Sequence, residues 1–158
     1  VSEDLLEFIE ARLRDEESEA LAATPGPWRW VDPGGRYKQA LTGADGELVA
    51  PIAVGDVYPS KYDAAFIARH DPARVLRDIQ AKRRLLAEHE RVLLHKGAGA
   101  DHFVTAWVCR TCGGSDASYD DGTPCMRAAK YPCRTLRLLA LPFADHPGYD
   151  PSWSPADE

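Results

Sequence analysis

The chain has 158 residues, 44% of them hydrophobic and 28% charged, with 25 acidic against 19 basic side chains for a formal charge of −6. That length predicts one compact domain with one buried core and room for a small appendage. No run reaches the roughly 18 apolar residues of a membrane span, and the acidic balance argues against a dominant nucleic-acid surface, which relies on clustered Lys and Arg.

Ser2-Glu3-Asp4 has the cap and acids of a helix start. Leu5, Leu6, Ile9 and Leu13 then share one face, and Ala20-Leu21-Ala22 continue it until Thr24-Pro25-Gly26-Pro27 stops it. The pattern predicts a helix over about residues 3–22. The acidic start has neither the basic region nor the apolar stretch of a secretory signal, which leads to the expectation of a cytoplasmic protein.

Trp28-Arg29-Trp30-Val31 has the aromatic and β-branched character of a strand. Segments Tyr37 to Thr42 and Glu47 to Val54 flank Gly43-Ala44-Asp45-Gly46, and the Asp-Gly pair predicts a tight turn with positive φ. Ser60 and Asp63 are spaced as a capping box for a short helix through Ala68. Asp71 then suits an N-cap and Pro72 the first helical position. Val75, Leu76, Ile79, Arg83, Leu86 and Val92 or Leu93 trace a long central helix expected to run to about His95.

Gly97-Ala98-Gly99-Ala100 divides an expected α+β body, residues 1–96, from a smaller sub-module, residues 97–158. In the latter, Trp107-Val108 reads as a strand leading into Cys109-Arg110-Thr111-Cys112-Gly113-Gly114. A last helix is expected from Pro132 or Cys133 to Pro142, followed by an irregular tail. The expected fold class is α+β: an N-terminal helix, a small antiparallel sheet, a long central helix, and a C-terminal zinc-stapled hairpin with a helix.

The four cysteines, Cys109, Cys112, Cys125 and Cys133, are the chemical signal. In a reducing compartment they read as one structural zinc site rather than two disulfides. Two cysteines separated by two residues reach two corners of a tetrahedron from one turn, and Cys133 at a helix start has amides to favour its thiolate. Cys125 is the less secure fourth ligand, with His102 or His95 as alternatives. Four protein donors leave no position for water, so the metal would stabilise rather than catalyse.

Other groups carry weaker signals. His70 reads as a helix C-cap, Asp145-His146 as a turn, and Trp28, Trp30 and Trp153 as packing anchors. Lys82-Arg83-Arg84 are three consecutive helical positions and so spread around the helix instead of forming one basic face. Charge is nonetheless polarised: residues 1–24 carry eight acids and two bases, whereas residues 60–96 carry nine bases and five acids. The chain has no P-loop, dinucleotide fingerprint, metalloprotease helix or nucleophile elbow.

Ala22-Ala23-Thr24-Pro25-Gly26-Pro27-Trp28, with Asp63-Ala64-Ala65-Phe66-Ile67-Ala68 and Pro72-Ala73-Arg74-Val75-Leu76, resembles the layout of small phage early-region accessory proteins of the Ea type. That resemblance covers the N-terminal two thirds. The whole chain, with Tyr131-Pro132-Cys133-Arg134-Thr135-Leu136-Arg137 and Ala144-Asp145-His146-Pro147-Gly148-Tyr149, resembles more closely an uncharacterised actinobacterial and actinophage family of unknown function. The resemblance implies contacts with other proteins and no catalytic residues. It transfers Cys109, Cys112 and Cys133 as metal ligands, but not Cys125.

The expected function is a non-enzymatic regulatory or protein-interaction module with one structural zinc, phage or prophage related. Its expected partner is a protein, with no membrane. The alternatives are a zinc-bearing nucleic-acid-binding protein using the long basic helix, and an uncharacterised enzyme.

Overall fold

The computed structural model describes residues 2–31, 40–51, 60–95, 105–113, 119–120, 123–124 and 131–155. Their elements are, in order, α1 (Ser2–Ala22), β1 (Arg29–Val31), β2 (Ala40–Thr42), β3 (Leu48–Pro51), α2 (Lys61–Arg69), α3 (Pro72–Glu88), β4 (Arg91–His95), β5 (Thr105–Cys109), β6 (Tyr119–Asp120), β7 (Thr123–Pro124) and α4 (Arg134–Ala140). Short 3-10 turns follow at Leu141–Phe143 and Pro151–Trp153. Helices and antiparallel strands are segregated, so the class is α+β, as the sequence predicts. No described helix is long and apolar enough to cross a membrane.

The chain divides into two compact units, one of Leu13–Ala81 and the other of Val1–Arg12 with Lys82–Glu158. In the first, β1, β2 and β3 form an antiparallel sheet in that order, with a register shift between Leu41 and Thr42. The β2–β3 turn closes through Gly43 N to Glu47 O and Gly46 N to Gly43 O, and Gly46 adopts φ +81°. This is the positive φ that the Asp-Gly pair predicts. The expected strand ends at residues 37–39 and 52–54 lie outside the described residues.

Helix α2 starts as its capping pair predicts, with Ser60 Oγ accepting from Asp63 N at 3.1 Å and donating to Asp63 Oδ2 at 2.8 Å. It ends at His70, whose backbone N–H returns to Phe66 and Ile67, and whose Nδ1 meets Phe66 O. Asp71 caps α3 by accepting from Arg74 N at 2.8 Å. The same carboxylate accepts from Trp28 N at 3.3 Å, so a 6% exposed acid is satisfied by two backbone donors. Leu13, Ala20, Ala40, Leu41, Ala64 and Ile79 form the buried apolar set of this unit.

The other unit departs from the sequence reading at one place that matters. Helix α3 ends at Glu88, and Arg91–His95 is strand β4, not the last turns of the helix. It pairs with β5 in the register Arg91↔Cys109 through His95↔Thr105, joining chain on both sides of the glycine-bearing segment. Val92-Leu93-Leu94 fits a helical face by count, but pairing with β5 gives this segment cross-strand hydrogen bonds and sets Val92 opposite Val108. A short apolar run of this length cannot be assigned by periodicity alone.

In the same unit Leu5, Ile9, Leu86, Val108, Leu136, Ala140 and Trp153 are buried. Phe8 gathers Phe143, His146, Tyr149 and Trp153 around it at ring separations of 5.1–6.3 Å. Trp153 is therefore a packing anchor, as expected, while Trp28 and Trp30 are partly exposed.

Candidate metal centre

Each of three elements delivers a donor to one place. Strand β5 ends on Cys109, the turn after it carries Cys112, and Cys133 is the N-cap residue of α4. Cys133 makes no side-chain cap bond, leaving its sulfur to the cluster. The fourth donor is His89, the residue directly after α3. The four ligand atoms lie within 4.8 Å of one another, and Cys109, Cys133 and His89 are buried while Cys112 is the exposed member.

The decisive geometry is at the imidazole. His89 Nδ1 stands 3.3 Å from Cys109 Sγ, 3.4 Å from Cys112 Sγ and 3.5 Å from Cys133 Sγ. One ring nitrogen has a single proton or a single lone pair, so it makes one good hydrogen bond and not three. Near-equal separations to three sulfurs describe instead four donors facing a common centre, a set that can hold a metal ion.

The cysteine turn has its own brace. Cys112 N donates to Cys109 Sγ at 3.3 Å, and Gly113 N donates to Cys109 O at 2.7 Å. A Cβ at Gly113 would lie 2.5 Å from Cys109 O, so the close approach needs glycine. The two residues between the cysteines grip the histidine: Thr111 Oγ1 donates to Glu88 O at 2.5 Å and Arg110 N donates to Glu90 O at 2.9 Å. His89 is thus held by its neighbours on both sides, and an Arg110–Glu90 ion pair reinforces the second tie.

Without a cation Cys112 resists ionisation. The Cys112 thiol is pushed up to about 11 by burial of its sulfur, then by its contact with Cys109 and the charge of Cys133. Tyr131 is pushed up as well, first by burial and in part offset by Arg91, and its buried Oη has no hydrogen-bond partner among the described residues.

Three sequence-predicted ligands, Cys109, Cys112 and Cys133, are brought together. Cys125 and His102 lie outside the described residues, as does the His95 side chain. His89 escaped the sequence reading because it fell inside the helix expected to run to His95. The available signal was spacing, since His89 precedes Cys109 by 20 residues and Cys133 follows Cys112 by 21.

A family model described as a family of unknown function (DUF6221) matches residues 2–155. The chain belongs to this family. The match spans both compact units and all four donors, so the DUF6221 unit is the whole fold and not the metal-centre half alone. No curated protein and no solved structure matches the chain.

Proposed function

We propose that this protein is a non-enzymatic regulatory module that contacts another protein and is held folded by one structural zinc on His89, Cys109, Cys112 and Cys133. The observation that carries the metal is the equal reach of His89 Nδ1 to three sulfurs. Zinc bonds of about 2.3 Å to sulfur and 2.0–2.1 Å to nitrogen, at tetrahedral angles, set nitrogen and sulfur about 3.6 Å apart. The separations of 3.3, 3.4 and 3.5 Å fall just inside that value. Three soft sulfurs and an imidazole select zinc over magnesium or calcium, which prefer oxygen. Four protein donors complete the coordination, which supports a structural role.

A protein partner is supported by the open face of the β4–β5 ribbon. Leu93 and Trp107 are opposite one another there, 37% and 52% exposed, with the Arg91 guanidinium 4.7 Å from the Trp107 ring centroid. An exposed Trp beside Arg is the residue pairing that dominates protein interfaces. The nucleic-acid reading draws less support, because Arg83 pairs with Glu10 and Lys82 lies over the Phe143 ring. The resemblance of residues 22–76 to phage accessory proteins supports a phage or prophage setting, and a zinc–thiolate centre suits the reducing cytoplasm.

Elemental analysis of protein purified without added metal tests the first part, with one zinc per chain expected. Cobalt substitution should give the visible bands of a tetrahedral thiolate site. Metal-free protein with Cys109, Cys112 and Cys133 all titrating as free thiols would overturn the zinc. For the partner, Trp107→Ala should abolish capture from the native host at unchanged zinc content; a turnover abolished by a point change would defeat the non-enzymatic reading.

A further inference from the structure

We propose that Cys112 is an oxidation site through which hydroperoxides release the metal, by forming a disulfide between Cys112 and Cys109. This rests on the zinc reading and adds a regulation of that same centre.

The four donors are not equivalent. Cys109 is 0% exposed, Cys133 1% and His89 8%, whereas Cys112 is the least buried, a surface residue whose sulfur is only part-covered. A small oxidant in solution therefore meets Cys112 first. Metal coordination keeps this sulfur as thiolate, the nucleophilic form. The resolving thiolate is also in place. Cys109 and Cys112 sit on one turn, already closed by Gly113 N to Cys109 O and by Cys112 N to Cys109 Sγ. Joining these two sulfurs asks no second element to move. Cys133 belongs to α4, so a bond to it would have to bring helix and turn together.

The chemistry balances with hydrogen peroxide as the oxidant. The Cys112 thiolate attacks one peroxide oxygen, forming an S–O bond and breaking the O–O bond; the departing hydroxide takes a proton and leaves as water. The Cys109 thiolate then attacks the Cys112 sulfur, forming the S–S bond and breaking S–O, and a second hydroxide leaves as water. Two thiolates lose two electrons and one peroxide gains them. The disulfide removes two of four donors, and His89 with Cys133 alone is too small a set to retain the ion.

The test treats the zinc-loaded chain with equimolar hydrogen peroxide and follows zinc with a colorimetric chelator and disulfides by peptide mass mapping. One zinc should be released per Cys109–Cys112 disulfide formed, and thiol reductant with added zinc should restore the loaded protein. Cys112→His, which keeps a donor at that corner, should release zinc about tenfold more slowly or less. Cys125→Ser should behave as the parent. Zinc retained at peroxide levels that oxidise free cysteine, or release with a disulfide to Cys133 or Cys125, would overturn this inference while leaving the zinc centre standing. Protein that carries no zinc before peroxide is added would overturn both.

Discussion

At the scale of residues, the centre depends on a histidine that faces three sulfurs at once. Replacing His89 by Ala removes one of four donors and leaves the space open to water. The expected loss of zinc affinity exceeds the roughly 10–100-fold that follows loss of an outer-shell partner. His89→Cys restores a donor of a type common in structural zinc sites and should retain one zinc per chain. Competition with a chelator of known affinity checks both, and an Ala variant that binds as tightly as the parent would refute the assignment of His89. The thiols also set a pH dependence. In the metal-free chain Cys112 has its pKa raised from 9.0 to about 11, so its neutral form is favoured. The stabilisation this represents is present below the ordinary thiol value and is lost as pH rises toward about 11. A bound cation reverses the preference, because it needs the thiolates. Zinc binding near neutral pH should therefore expel protons and tighten as pH rises toward about 11, where Cys112 ionises without the metal. Calorimetry in buffers of different ionisation heat reads the proton count directly, and a buffer-independent enthalpy would contradict protonated thiols in the metal-free state.

At the scale of elements, two glycines separate backbone conformation from metal geometry. Gly46 has φ +81° with nothing near a would-be Cβ, so Gly46→Ala is a pure test of the left-handed turn and should cost about 1 kcal/mol in a denaturation series. Zinc affinity should not change, since the hairpin turn belongs to the unit of Leu13–Ala81, which contributes none of the donors. Gly113→Ala has the reverse signature: its Cβ would meet Cys109 O at 2.5 Å, opening the turn that spaces the first two cysteines, so zinc affinity should fall. Equal effects of the two substitutions on zinc would show that the turn does not position the donors. The same contrast explains what the sequence makes readable. Ser60, Asp71-Pro72 and Asp45-Gly46 act on their own neighbours within a few residues, and each is found where its local chemistry puts it. The Cys109/Cys112 pair is local in the same sense. The end of α3 is not, because β4 becomes a strand only by pairing with β5, ten or more residues later. His89 went unseen for that reason: its role appears only when Glu88 and Glu90 are tied to Thr111 and Arg110, a contact across 20 residues that no window along the chain contains.

At the scale of the whole molecule, the two units bury different kinds of residue. In Leu13–Ala81 the buried set is aliphatic and closed by backbone hydrogen bonds: Leu13, Leu41, Ala64 and Ile79, with the Asp71 carboxylate satisfied by two amides. In the unit of Val1–Arg12 with Lys82–Glu158, three of the buried positions, Cys109, Cys133 and His89, are themselves donors. None of the donors belongs to the first unit. In the second, taking the metal away leaves a Cys112 thiol that favours its neutral form and an imidazole with three partners where it can bond one. Structural zinc contributes roughly 10–16 kcal/mol of apparent binding energy in small zinc peptides, comparable to the 5–15 kcal/mol by which whole domains are stable. Chelation should therefore act on one unit. Hydrogen exchange after zinc removal under reducing conditions should show protection lost in β4, β5 and α4 and kept in β2, β3 and the first turns of α3. Uniform loss across both units would mean that the fold is one cooperative whole resting on the metal. Unchanged protection in β5 and α4 would mean that the donors meet without needing an ion to hold them.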